Sequence, residues 1–445
     1  MKHWQKTALR LTGAGCAALL LALPMGCGGK TPTASGAAAD GYRDMGGYEF
    51  RIAAWWDGTP DGKSEASARA LKLQQDAEKN YNCKITYQYI PQANIIEKLT
   101  ASVMAKDPFA DIVWLEANSV VPQLAKAGYI MPTDDLFDFS DPKWPAYGVQ
   151  ASEMGGKHYG FVADIASTYG IWYNKTFFAK YGLPDLYELQ QKDEWNWDAF
   201  ADIARRATTD PNNDGVNDTF GFGEVGWEPI VDRFIASNGS MVVKPTADGS
   251  YRFNVDDPAA KEAISFVVDL FQRGYKSDSA AFVSGKCAMF AGDGFWGSQT
   301  FQLEMDDDLG FVWFPKGPRA TEYVCTSINT NVMTIPTNSK RPEDTALIFE
   351  AITDWAHLDE ERLARMEGWM YNEEDVATCR EMFARCTLHK WRAFGDLQDV
   401  FMEKIFYDCV KSKNTVEKAI AEHLDEGQAI IDQIMSGATA STAAG

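Results

Sequence analysis

The sequence predicts an α/β fold divided into two lobes, and three observations lead there. The chain is 445 residues long, more than one hydrophobic core ordinarily serves. Its early part alternates strand-like and helix-like segments in the order β-α-β-α-β, which builds a parallel sheet covered by helices. Much further along, Cys287 to Ala291 is a short apolar run between a Ser284-Gly285 turn and a Gly/Asp loop, as expected of a strand buried on both faces. Hydrophobic residues at 45% and aromatic residues at 13% supply enough apolar surface for sizeable cores, which excludes a disordered chain.

Lys2, Lys6 and Arg10 precede an apolar run from Leu11 to Leu23, the charge and length of a secretory signal and too short to span a membrane as a mature helix. Cys27 follows this run and precedes Gly28-Gly29, which resembles a lipoprotein processing site at which the Cys is lipidated. Pro24 departs from that pattern, and Cys16 is a rival that lies inside the apolar run. From Gly28 to Gly47 the chain is mostly small and polar, so it reads as a flexible tether.

Tyr48 to Trp56 and Cys83 to Tyr89 alternate apolar and polar residues as strands do, and Ile112 to Leu115 is a continuous apolar run. Ser64 to Asn80 and Ile95 to Lys106 fill the gaps as helices. In such a sheet the ligand-facing groups lie at the carboxyl ends of the strands, here Trp55, Trp56 and Asp57, and Glu116. Asp164 to Ser167 is the candidate hinge. Asn196 caps a helix with Phe200, Ile203, Ala204 and Ala207 on one stripe, and Pro258 opens another that ends at Gly274. Pro342 starts a further helix, and Asn414 with Glu417 forms a capping-box-like start for the last one. Residues after Gly437 read as a disordered tail.

Five stretches in order carry a family resemblance. They are the signal ending at Cys27-Gly28-Gly29, Tyr169-Gly-Ile-Trp-Tyr-Asn-Lys175, Trp195-Asn-Trp-Asp-Ala-Phe200, Phe253-Asn-Val-Asp-Asp-Pro258, and the Gly-Lys turn, Ala-Met strand and Gly-x-Trp at 285–296. Together these resemble the maltose-binding-protein-like extracellular solute-binding proteins, the receptors of ABC sugar importers. The resemblance covers roughly Tyr48 to Trp355. It implies a two-lobed periplasmic-binding-protein-like fold, two mixed parallel sheets flanked by helices, with a hinge and a ligand cleft between them. The implied division is a signal over 1–26, a tether over 27–47, a first lobe of 48–163 with 284–330, and a second of 164–283 with 331–395. C-terminal helices over 396–436 then pack on the lobes, and 437–445 is the tail.

Sugars present flat C–H patches and a rim of hydroxyls, so a site for them needs aromatic faces beside carboxylates or amides. Trp56, Trp172, Trp227 and Trp296 are the stacking candidates, with Trp55 beside the first and Trp391 as a further wall. Asp57, Glu116, Asp164 and Asp293 are the hydroxyl acceptors. Each has a competing reading as a residue that packs the core. Gly292-Asp-Gly294-Phe-Trp-Gly297 also matches the dinucleotide pattern, but Phe295-Trp296 would crowd a pyrophosphate and Phe311 to Phe314 runs into Pro315 where an acidic ribose ligand belongs. Neither a G-x-S-x-G elbow nor an H-E-x-x-H helix is present, which favours binding over catalysis.

Asp210, Asn212, Asp214, the Val216 carbonyl and Asp218 are spaced as oxygen ligands of a calcium loop with Gly215 at its turn, although Gly221 stands where a bidentate Glu is usual. Structural Ca2+ is the expectation, an Asx-rich turn the alternative. The net charge of −21, which becomes −24 once residues 1–26 are removed, argues against nucleic acid. Cys83, Cys287, Cys325, Cys379, Cys386 and Cys409 allow many pairings, and a chain of this size folds without disulfides, so they read as mostly reduced structural thiols. The resulting expectation is a monomeric receptor, lipid-anchored outside the cell membrane or periplasmic. It would bind a carbohydrate and deliver it to ABC permease subunits. A receptor for another polar solute, a glycosidase and a sensor lipoprotein remain alternatives.

Overall fold

A computed structural model describes residues 43–163, 168–226, 229–327 and 330–437. In chain order its main strands are β1 (Tyr48–Ala54), β2 (Cys83–Tyr89), β3 (Ile112–Glu116), β4 (Tyr169–Asn174), β5 (Phe220–Glu224), β6 (Lys276–Asp278), β7 (Cys287–Asp293), β8 (Leu309–Val312), β9 (Cys325–Ser327), β10 (Asn331–Thr334) and β11 (Cys386–Leu388). They form a first sheet in the order β10-β3-β1-β2 and a second in the order β6-β5-β7-β4-β8, with β9 and β11 paired apart. Both sheets are mixed. β1 runs parallel to β2 and β3, whereas β10 is antiparallel to β3; β7 is parallel to β5 and antiparallel to β4.

The helices begin where local chemistry places them. Helix α1 (Glu65–Tyr81) is capped by Ser64, which accepts the Ser67 N–H, and α2 (Gln92–Ala105) follows β2. Asn196 accepts the Ala199 N–H to start α3 (Trp197–Ala207), whose buried stripe is Trp197, Phe200, Ile203, Ala204 and Ala207. Asp257 caps α4 (Pro258–Gln272), and Gly274 follows with a left-handed φ of 72°. Next come α5 (Pro342–Ile352), α6 (Leu358–Trp369), α7 (Glu373–Arg385) and α8 (Val416–Met435). The cap of α8 is Thr415, which accepts the Lys418 N–H, rather than the expected Asn414; Asn414 bonds the Thr415 N–H instead.

One assignment from the sequence is reversed at three strands. Residues 284–330 were expected in the first lobe and 331–395 in the second. Instead β7 and β8 belong to the second sheet, and β10 to the first, where α5 packs on α1. A strand buried on both faces carries no mark of which neighbours it will take. Pairing decides it, and β7 lies between β5 and β4 with Met289 opposite Phe222 and Tyr173. The chain leaves the first sheet after Phe161, which bridges Met333, and enters the second at Tyr169. It returns between Ser327 and Asn331. The expected hinge, Asp164 to Ser167, lies outside the described residues.

Every residue of β4 and β7 is buried. Tyr169, Ile171 and Tyr173 face a core shared with α3, α4 and α8. Trp172 faces the other way, into a cluster that also holds Ala53, Val113 and Leu115 of the first sheet. Both sheets therefore share one continuous apolar body. Gly297, just after β7, packs tightly on α6 and β4: an added Cβ would lie 1.9 Å from the Trp369 carbonyl oxygen and 2.7 Å from the Trp172 ring. Gly297→Ala is expected to lower stability by about 1–3 kcal/mol, since backbone rather than a flexible side chain must move. Gly368→Ala, on the same side of the fold with nothing within 4 Å of the new methyl, should be neutral or slightly stabilising in thermal unfolding.

Candidate functional site

The carboxyl ends of β1 and β3 carry the first half of the site. Trp55 and Trp56 follow β1 and meet edge to face, with ring centroids 5.1 Å apart, and Trp56 meets Trp114 of β3 at 5.2 Å. Trp56 is 36% exposed, so an aromatic face stays open to solvent above rings that hold it in place. Trp114 was not among the residues expected here. Its signal was the alternation of β3, which puts Trp114 on the same side as Glu116. Asp57 is exposed; hydrogen bonds from Thr59 hold its carboxyl below the ordinary range, and the Thr59 N–H donates to Oδ1 at 3.0 Å. Glu116 accepts a hydrogen bond from the Gln92 amide at 3.2 Å.

The second half lies at the end of β7. Asp293 is almost buried, and its backbone carbonyl accepts the Trp172 indole N–H at 2.9 Å. Gly294 and Phe295 then lead into Trp296. That ring is half-buried, roughly parallel to Phe301 at 6.0 Å and edge-on to Phe290 at 5.3 Å. The open ring of this loop is Phe295, 48% exposed, which was not among the expected stacking residues. Trp55, Trp114 and Trp296 all pack at the half-buried margin of the cluster that joins the two sheets. Aromatic groups from the strand ends of both sheets thus border one apolar body. Asp164 and Trp227, also expected here, lie outside the described residues.

Two expected contact residues are core residues instead, a correction with a physical cause. Trp172 is 0% exposed, wedged among Phe301, Phe311 and Tyr371 with its N–H satisfied by Asp293. Trp391 is 1% exposed and donates its indole N–H to Asp232 at 3.1 Å. Asp232 also pairs with Arg233, whose guanidinium sits 4.0 Å over the Tyr169 ring. An indole that buries its faces and spends its N–H on the protein has nothing left for a ligand.

The Asp210 to Asp218 loop bonds its own backbone. Asp210 accepts the Gly215 N–H at 2.9 Å, Asn212 the Asp214 N–H and Asp214 the Val216 N–H, each at 2.8 Å. The bonds accepted by Asn212 and Asp214, each from the residue two positions on, are Asx turns. Among the described residues no three His, Cys, Asp or Glu side chains converge to hold a metal ion. A cavity of about 360 Å³ lies elsewhere, between the hairpin around Gly155-Gly156 and the one around Thr246 to Tyr251. Its lining is mainly backbone and small polar groups, with Tyr251 the one aromatic, so it does not suit sugar stacking.

Two further acids, Glu224 and Asp375, are buried. Glu224 closes β5 just before 225–230, and its Oε2 accepts the Ile230 N–H at 2.7 Å. Burial pushes its carboxyl up to about 7, partly opposed by Lys276. Asp375, buried beneath β8 and accepting the Phe311 N–H at 2.9 Å, is likewise pushed to about 7 by burial.

Comparison with known proteins agrees with this architecture. Residues 60–355 match the family described as bacterial extracellular solute-binding protein, and the chain belongs to that family. The fold is similar to a cyclo/maltodextrin-binding protein complexed with maltotetraose, at TM-score 0.63 and 16% identity, over 88% of this chain and 98% of that one. It is similar also to the maltose/maltodextrin-binding domain MalE of Bdellovibrio bacteriovorus bound to maltotriose, at 0.59 and 17%, over 87% and 100%. A third is the substrate-binding protein Lmo0181 of Listeria monocytogenes in complex with cycloalternan, at 0.58 and 17%, over 88% and 99%. No curated protein matches the sequence.

A raised carboxyl pKa means that the folded state holds its proton where the unfolded chain has lost it. Stability should therefore fall as pH rises from about 4.5 to about 7, by up to roughly 3 kcal/mol for Glu224 alone. Glu224→Gln keeps an acceptor for the Ile230 N–H and should remove that part of the decline. Denaturant unfolding of both proteins at pH 5 and pH 8 measures it; an identical pH difference in the two proteins would contradict the assignment.

Proposed function

We propose that this protein is the receptor of an ABC importer and binds an oligosaccharide between its lobes. The observation that carries the reading is the set of strand-end aromatics, Trp55, Trp56 and Trp114 from one sheet and Phe295 and Trp296 from the other, on one apolar body that joins them. Ring faces suit the C–H patches of a sugar, while Asp57 and Glu116 suit its hydroxyls. The structural relatives described with bound maltotetraose, maltotriose and cycloalternan support the same class of ligand. A ligand that touches both lobes binds the closed form better and shifts an opening equilibrium toward it; the permease then receives the closed form.

Binding rather than hydrolysis is part of the proposal. A thermal-shift screen over mono- and oligosaccharides identifies the ligand, and unchanged sugar after prolonged incubation separates receptor from glycosidase. Trp56→Ala should weaken the identified sugar by about thirty-fold to a thousand-fold, on the order of 2–4 kcal/mol, with little effect on unfolding. Trp391→Ala should do the reverse, with a stability loss of about 3–5 kcal/mol. Calorimetry and unfolding on both variants read the two quantities. Undiminished affinity in folded Trp56→Ala and Phe295→Ala proteins would remove the stacking role.

The proposal includes a lipid anchor at Cys27, which lies outside the described residues. No helix among the described residues is long and apolar enough to cross a membrane; acyl chains on Cys27 would supply the attachment. Cys27→Ser should move the protein from the membrane to the soluble fraction. Identical fractionation of the two forms as soluble protein would exclude the anchor.

A further inference from the structure

β9 and β11 form a small parallel pair where the chain passes between the sheets, and their first residues are cysteines directly opposite each other, Cys325 against Cys386. Neighbouring strands stand about 4.8 Å apart, inside the Cα separation of about 4.4–6.8 Å that a disulfide needs. The two sulfur atoms are 3.6 Å apart, and both residues are buried. The other thiols are placed differently. Cys287 is bonded to the Met289 carbonyl, Cys379 to the Thr168 hydroxyl at 3.2 Å, and Cys83 and Cys409 belong to other elements. We propose that Cys325 and Cys386 form a disulfide in the exported protein, tying the strand that precedes the return to the first sheet to the strand that follows α7.

The surroundings favour the consequence of the link. On either side the pair is tied to the rest of the fold: the His389 N–H donates to the Ser327 carbonyl at 2.8 Å, and the Leu388 N–H to the Gln150 side chain at 3.0 Å. A covalent link here closes a loop that contains β10, α5, α6 and α7, elements shared between the two sheets. Closing so long a segment restricts the unfolded chain and raises stability.

The chemistry is thiol–disulfide exchange with a disulfide oxidant outside the cytoplasm, where the family resides and such oxidants persist. The thiolate of one of the two cysteines attacks one sulfur of the oxidant, its S–S bond breaks, and one thiolate leaves. The thiolate of the other then attacks the protein sulfur of the mixed disulfide and releases the second. The protein gives up two protons and two electrons, and the oxidant becomes two thiols. Because both sulfurs are buried in the folded protein, the exchange belongs to folding, before the core closes.

The test uses exported full-length protein and, in parallel, protein refolded with oxidised and reduced glutathione. Free thiols are alkylated under denaturing conditions and peptides mapped without reduction. Cleavage after Arg319, Lys340, Arg380, Arg385 and Lys390 puts Cys325, Cys379 and Cys386 on separate peptides. The expected result is one linked pair, Cys325 with Cys386, and alkylated Cys83, Cys287, Cys379 and Cys409. Reductant should then lower the melting temperature by on the order of 5 °C. A Cys325→Ala, Cys386→Ala double variant should be indifferent to reductant. Recovery of both peptides alkylated in both preparations, or a link from either to Cys379, would overturn the proposal, and this map decides even if the double variant fails to fold.

Discussion

The antiparallel pairing of β4 with β7 is the contact on which the rest of this molecule depends. It runs from Met289 opposite Tyr173 to Asp293 opposite Tyr169 and buries every side chain on both strands. One face of it supplies the core of the second lobe, the other the cluster continuous with the first sheet. Buried backbone must be hydrogen-bonded, so these ladders leave few alternatives for register. The Trp172 N–H on the Asp293 carbonyl fixes where the strand stops and where its loop begins.

That stop places the candidate site. Because β7 ends against Trp172, and Gly297 lets the following turn reach the end of α6, the loop between them projects Phe295 while Trp296 is held half-buried. On the first sheet the same task falls to Trp114, whose ring supports Trp56. In both halves one aromatic is committed to packing so that its neighbour can remain open. Rigid support lowers the entropy a ligand contact must overcome, which is why aromatic platforms suit polyhydroxylated ligands.

The interior also holds charge. Asp232, Arg233, Tyr169 and Trp391 form a buried polar knot in the second lobe, and His389 beside it is pushed down to about 4 by burial. Glu224 and Asp375 lie under β5 and β8 with backbone N–H groups as partners. Such groups contribute less to net stability than apolar residues would, but each tolerates few arrangements of its neighbours.

Much of this was legible beforehand, because short-range chemistry wrote it. The strands Tyr48–Ala54, Cys83–Tyr89 and Ile112–Glu116 follow from alternation and apolar runs, and Ser64, Asn196 and Pro258 mark helix starts by capping and by fixed φ. Family membership was legible too, in motifs spread along the chain. Only the tertiary structure decided which sheet takes β7, β8 and β10, since a strand buried on both faces reads the same beside any neighbour. It also decided which indoles pack and which stay open. Trp172 and Trp56 both lie near strand ends, yet one meets Phe301, Phe311 and Tyr371 and the other keeps a face in solvent. A side chain's own chemistry determines what it can bind, whereas its exposure is settled by residues distant in the sequence.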